Sequence, residues 1–281
     1  MKFTKMQGLG NDYVYVNCLK GVPENAEKLA VKISDRHFGV GSDGLILICS
    51  SDIADFKMVM YNADGSISEM CGNGIRCVGK YVRDKGLTDK DEISVETGAG
   101  IKYLKFHREN GETKLITVDM GAPILNGLDI PTVFDKNPVV AEPIDVDGVT
   151  YKTTCVSMGN PHSVVFLDKD TDLKTFDIDG IGSKFESHPA FPSRVNAEFA
   201  KVIEPGLLEM RVYERGTGET LACGTGTCAT HVAARLNGLT GDRSVVRLLG
   251  GELIIEWNGE GSVKMTGPAE FVFEGEYKWP E

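Results

Sequence analysis

The chain repeats itself once, and that repeat restricts the fold more than any other feature. An offset of 152 positions lays "MVMYNADGSISEMCGNG", from Met58, on "MRVYERGTGETLACGTG", from Met210. Met58 then falls on Met210, Tyr61 on Tyr213, Cys71 on Cys223, Gly72 on Gly224 and Gly74 on Gly226. The same offset carries Arg83 onto Arg235, Gly86-Leu87-Thr88 onto Gly238-Leu239-Thr240, and Gly98 onto Gly250. Turn chemistry alone repeats dipeptides; it does not hold an ungapped register over about forty residues. A fainter echo lies upstream, where "GNDYVYV" from Gly10 resembles "GNPHSVVFL" from Gly159, so Asn11 and Asn160 precede their cysteines at similar distances. The repeat is too long and too few-fold for a solenoid. Two copies of one domain are expected.

Each copy reads the same way. "FKMVMYN" and "LLEMRVY" are apolar, strand-length runs. A glycine-rich turn follows, then the cysteine, then a segment with helical spacing: "GIRCVGKYVRDKG" with Ile75, Val78, Tyr81 and Val82 inward, and "GTCATHVAARLNG" with Val232, Ala233 and Leu236 inward. Gly86 and Asn237-Gly238 are the stop signals. Downstream, "EISVETGAGIKYLKFH" and "SVVRLLGGELIIEW" read as strand, glycine turn, strand. The predicted fold is α+β, with two β-rich halves each holding one helix. The halves are placed at 1–120, completed by a C-terminal strand at 268–281, and at 121–267; four prolines between Gly121 and Pro143 mark the crossing.

Composition narrows the partners. A net charge of -11 without any Lys/Arg cluster argues against nucleic acid. The N-terminal stretch has no signal-peptide apolar region, and no run is long enough to span a membrane, so a cytoplasmic protein is expected. The cysteine count of seven is odd, and with no secretion signal reduced thiols are expected rather than a disulfide framework.

Two of those thiols stand apart. Cys71 and Cys223 are predicted at helix N-termini, inside "CGNG" and "CGTG". A helix start offers unpaired N–H groups and the positive end of the dipole, which favour a thiolate and also bind a carboxylate. The glycines permit close approach of a ligand to the backbone. If the halves meet over one cleft, one thiolate can remove the α-proton of an amino acid while the opposite thiol returns a proton to the other face. The helix ends would stabilise the enediolate-like carboxylate of the transition state, and no cofactor or metal is needed. The spacings Cys71–Cys77 and Cys223–Cys228 match neither the usual zinc nor iron–sulfur patterns, nor a C-x-x-C redox pair. "GTGTCAT" lacks the lysine of a phosphate loop. A two-lobed amino-acid receptor is the competing class, but a receptor has no use for two symmetry-matched thiols.

These residues resemble the diaminopimelate epimerase family. The resemblance runs from "MQGLGNDY" at Met6 through "HFGVGSDG", "YNADGSISEMCGNGIRC", "VSMGNPH", "VNAEF" and "YERGTGETLACGTG" to "MTGPAEFVFEGE". Proline and hydroxyproline racemases share the two-thiol arrangement and are the runner-up, but their first motif typically reads C-G-H-G, whereas Asn73 follows Gly72 here. The resemblance implies conversion of LL-2,6-diaminopimelate to the meso form on the route to lysine and cell-wall precursors. It further implies a homodimer, and two domains each wrapped around a central helix with the active site in the cleft between them. Asn11 lies in the family's N-terminal substrate motif. Asn62, Asn160, Asn196, Glu214 and Arg215 would hold the distal, non-reacting end of the substrate. Backbone at Gly72-Asn73 and Gly224-Thr225 would hold the reacting carboxylate, and His162 and Glu214 correspond to the pair that tunes the thiols. One departure is Gly44, where many family members carry Gln.

Overall fold

The computed structural model describes residues 1–279, so the last two positions of the predicted strand 268–281 lie outside the described residues. The chain forms two compact units, one made of residues 1–119 together with the chain from Thr266 onward, the other of Met120–Met265.

In the first unit, strands Lys2–Gly8 and Asn11–Asn17 form a hairpin whose two loop residues, Leu9 and Gly10, both have positive φ. Such a turn matches the natural twist of the strands, and it brings Asn11 out at the first position of the second strand. Helix α1, Ala26–Ser34, carries the chain back to Gly44–Cys49, which pairs parallel to Asn11–Asn17. Phe56–Asn62 follows antiparallel. Helix α2, Gly72–Asp84, then crosses to Glu92–Thr97, parallel to Phe56–Asn62. Gly100–Glu109 and Glu112–Gly121 extend the meander, and Glu270–Glu276 pairs antiparallel with Lys2–Gly8.

The second unit repeats this order. Pro161–Phe166 is joined through α3, Ile178–Glu186, to the parallel strand Asn196–Glu204. Leu207–Glu214 follows antiparallel, then helix α4, Gly224–Leu236, and the parallel strand Arg243–Leu248. Helices α2 and α4 keep the offset of 152 at both ends, 72–84 against 224–236. The registers extend it upstream: Leu45 pairs with Tyr61 as Ala197 pairs with Tyr213, so Gly44 is equivalent to Asn196 and Ile46 to Glu198. Among the described residues, four helices and extensive β-structure make the fold α+β, each unit built around one long central helix. No helix of the described residues is long and apolar enough to cross a membrane.

The sequence pattern made α2 a one-sided helix, yet every residue from Gly72 to Val82 is buried. Two cations go inside with their partners. Arg76, with no exposed surface, donates to the carbonyls of Gly72 and Pro268 and to Asn73 Oδ1; Lys80 donates to the Thr113 carbonyl and to Asp84. Burial of a cation is tolerated only when its donors are satisfied in this way.

Both central helices also end alike. Gly86 and Gly238 each have φ of 70°, their N–H groups reach Arg83 and Arg235, and the next N–H groups, of Leu87 and Leu239, reach Val82 and Ala234. This glycine-terminated motif satisfies the last carbonyls of each helix.

Candidate active site

At the start of α2 the N-cap residue is Cys71 itself. Its backbone is extended (φ -130°), and its Sγ accepts the Gly74 N–H at 3.4 Å. At the start of α4, Cys223 does the same: φ is -116° and Sγ accepts the Gly226 N–H at 3.4 Å. Both observed helices begin two residues before the predicted apolar segments, because the cysteine takes the place that Ser, Thr or Asp usually fills. A sulfur held by a first-turn N–H sits at the positive end of the helix dipole.

The surroundings of the two sulfurs differ. The Cys71 thiol, partly exposed, donates to Asn11 Oδ1 at 3.2 Å. Asn11 is turned that way by Asp43, whose Oδ2 accepts from Asn11 Nδ2 at 2.8 Å and from the Asp12 N–H at 3.0 Å. Arg36 bridges Asp12 and Asp43. Burial raises Asp12, but hydrogen bonds from Arg36 and Lys5 outweigh it and hold that carboxyl below its ordinary range. Asp43, in "GSDG", was not singled out from sequence; its link to Asn11 spans 32 residues and has no local signature.

Cys223 is buried. Burial pushes its thiol well above the ordinary value, and the carboxyls of Glu214 and Glu198 push it further; hydrogen bonds from Thr225 and the Gly226 N–H act in the opposite sense. The expectation that a helix start favours the thiolate therefore fails at Cys223. Removal from water and two acidic neighbours outweigh the local dipole.

Around Cys223 the second unit gathers several of the expected residues. His162, with no exposed surface, stands with Nδ1 2.6 Å from Glu198 Oε1 and Nε2 3.0 Å from Asn160 Oδ1. Asn196 donates to the Pro161 carbonyl and accepts the Arg215 N–H at 2.9 Å, which ties the strand of Asn196 to the turn after Glu214. Arg215, exposed, donates to the Ser193 carbonyl, and Glu214 accepts from Thr220. In the first unit Asn62 occupies the position equivalent to Glu214 and bonds Ser66 across its hairpin. The Asn73 side chain is turned onto Arg76, so that residue presents backbone rather than its amide to a ligand. Cys77 and Cys228 are fully buried, and burial raises Cys77 to about 11, far from a reactive thiol.

The family model described as diaminopimelate epimerase matches residues 3–125 and 154–272. A diaminopimelate epimerase of Acetivibrio thermocellus is 58% identical over 277 residues, 98% of each chain. One from Methanococcus maripaludis is 54% identical, covering 98% of this chain and 99% of its own. The chain belongs to the diaminopimelate epimerase family. Among solved structures, a phenazine biosynthesis protein of the PhzF family from Bacillus anthracis superposes with a TM-score of 0.71 at 18% identity, covering 99% of both chains. A hydroxyproline epimerase from Agrobacterium vitis gives 0.65 at 15% identity, with 98% of this chain and 91% of that one covered. At such identities these two share the fold alone.

At Gly44, where the resemblance leads one to expect Gln, the packing leaves no room for a side chain. A β-carbon there would stand 2.1 Å from the Tyr61 carbonyl oxygen and 2.7 Å from Tyr13 Cε1. Tyr13 pairs with Gly44 as His162 pairs with Asn196, so the bulkier Tyr13 fills the room a side chain would need. Gly44→Gln is therefore expected to destabilise the protein, by about 3 kcal/mol or more for such overpacking, without gaining a substrate contact. Urea unfolding measures it; a variant of unchanged midpoint with a lowered KM would contradict the steric account.

Proposed function

We propose that this protein is an isomerase that interconverts LL- and meso-2,6-diaminopimelate, with Cys71 and Cys223 as the two acid–base groups on opposite faces of one α-carbon and with no cofactor. The observation that carries the reading is the pair of matched caps: two cysteines, equivalent in the repeat, each with Sγ on the first-turn N–H of a central helix at 3.4 Å. Capping needs only a serine or threonine, so a thiol at both places points to proton chemistry.

The reaction then runs as follows. The substrate's reacting carboxylate lies on backbone N–H groups at Gly72-Asn73 and Gly224-Thr225, where helix ends stabilise the charge that grows as the α-proton leaves. One thiolate takes that proton, and the other thiol delivers its own to the opposite face, which inverts the centre. After one turnover the sulfurs have exchanged roles, so the enzyme runs in both directions. Cys223, raised by burial and by Glu214 and Glu198, is suited to be the thiol of the resting pair. Asn11 accepts from Cys71 once that sulfur has taken the α-proton, and His162 and Glu214 tune the Cys223 side. The distal amino-acid end needs donors for its carboxylate and an acceptor for its ammonium; Arg215, Asn62, Asn160 and Asn196 supply the first and Glu214 the second. The protein works as a cytoplasmic homodimer supplying lysine and cell-wall precursors.

The test is incubation with LL-diaminopimelate in deuterated water, followed by NMR. Deuterium is expected at the α-carbon as the meso isomer accumulates. A protein that binds the substrate and incorporates none is a receptor, and the proposal falls.

A further inference from the structure

Glu198 has no exposed surface, yet it sits on a strand among apolar neighbours. Its equivalent in the first unit is Ile46, and the two take the same place beneath their helices. A β-carbon at Gly74 would meet Ile46 Cδ1 at 2.8 Å; one at Gly226 would meet Glu198 Oε1 at 2.6 Å and Cys223 Sγ at 3.3 Å. One thiol therefore rests over a hydrocarbon and the other over a carboxyl. A buried acid where the fold demonstrably accepts isoleucine is costly, and one of its oxygens, Oε2, has no hydrogen-bond partner among the described residues.

The other oxygen is engaged. His162 lies between Glu198 Oε1 and Asn160 Oδ1, with Nδ1 and Nε2 at 2.6 and 3.0 Å from them. Both ring nitrogens are engaged, which fixes the imidazole in one orientation. The chain Glu198–His162–Asn160 thus links the first turn of α4 to a residue of the substrate clamp.

We propose that Glu198 is a positioning residue that makes the two half-sites unequal: through His162 it orients Asn160, and from beneath Gly226 it sets a carboxyl under the Cys223 cap where Cys71 has only the hydrocarbon of Ile46. This rests on the two-thiol reading above. The groups facing Cys223 are Glu198 from its strand, Glu214 from the neighbouring strand, Thr225 and the Gly226 N–H of α4, and His162 behind Glu198. Burial raises Glu198 above the ordinary carboxyl range, His162 opposes this, and Glu214 adds to it.

The experiment follows the Cβ resonance of each cysteine with pH in protein labelled at the cysteine β-carbon, assigned by Cys71→Ser and Cys223→Ser. Glu198→Gln keeps the shape and a partner for His162; Glu198→Ile installs the residue the first unit already packs at this place. In both, the Cys223 midpoint is expected to fall by about one pH unit or more, about tenfold in thiolate fraction at fixed pH, with Cys71 unmoved. A Cys223 midpoint unchanged in either folded variant, or failure of both to fold, would overturn the proposal and leave Glu198 a packing residue. If the midpoint moves as expected but the wild type incorporates no α-deuterium, the assignment of Glu198 stands and the epimerase reading is the one that fails.

Discussion

Serine at Cys71 or at Cys223 is expected to leave the protein folded and to lower the rate of LL-to-meso conversion by about 10³-fold or more. The substitution separates two jobs that the wild-type sulfur performs together. As an N-cap, serine is at least the equal of cysteine, because its oxygen accepts the Gly74 or Gly226 N–H in place of a sulfur now at 3.4 Å. As a proton donor and acceptor it fails, since an alcohol ionises many pH units above a thiol. Alanine removes both functions, costing about 1 kcal/mol for the cap in addition to the chemistry. Because the two sulfurs act on one carbon as a unit, the double alanine variant should be scarcely worse than either single one. Circular dichroism establishes the fold and NMR of the two diastereomers gives the rate. Near-wild-type turnover in any single variant would rule out the two-thiol mechanism, and a double variant showing the product of two large single effects would mean that the thiols act independently.

What the sequence revealed follows from how local the underlying physics is. The cysteines, the glycines beside them and the helix stops at Gly86 and Gly238 are legible because capping and termination are decided by residues adjacent in the chain. The duplication was legible from Met58 onward, where side chains match. Upstream it fades to the echo of "GNDYVYV" in "GNPHSVVFL", and on the next strand the match is structural only: Gly44 against Asn196 and Ile46 against Glu198 share registers but no chemistry. Glu198 does leave a trace, an acid inside the apolar run "VNAEFAKV", which in a strand points either to an exposed face or to a buried partner. Nothing in sequence says that the partner is His162, 36 residues away. Asp43 is similarly silent. The thiolate expectation for Cys223 went wrong for the complementary reason: the helix end is local and visible, whereas the burial and the carboxyls that outweigh it arrive through tertiary packing.

The unequal support under the two helices yields a second large effect, from two substitutions that look identical in the repeat. Gly74 and Gly226 are equivalent third residues of α2 and α4, and alanine at an open helix position should gain about 1 kcal/mol over glycine. At Gly74 the new methyl meets Ile46 Cδ1 at 2.8 Å, the tip of a side chain that can rotate away. Overpacking and helix propensity then offset each other, and Gly74→Ala is expected to unfold at a urea concentration close to that of the wild type. At Gly226 the methyl meets Glu198 Oε1 at 2.6 Å, in a carboxyl that is fully buried and held 2.6 Å from His162. No rotation relieves this contact without breaking the pair and leaving both groups buried and unsatisfied, at about 3 kcal/mol. After the gain in propensity, Gly226→Ala should be less stable by about 2 kcal/mol, a fall in Tm of about 3–4 °C in a chain of this size. The urea slope should not change, since the same surface is exposed on unfolding. Its residual activity should be low as well, because the carboxyl can yield only toward His162, which takes Asn160 and the environment of Cys223 with it. Equal stability of the two alanine variants would show that Glu198 is free to move, and the asymmetry between the half-sites would then be one of sequence rather than of structure.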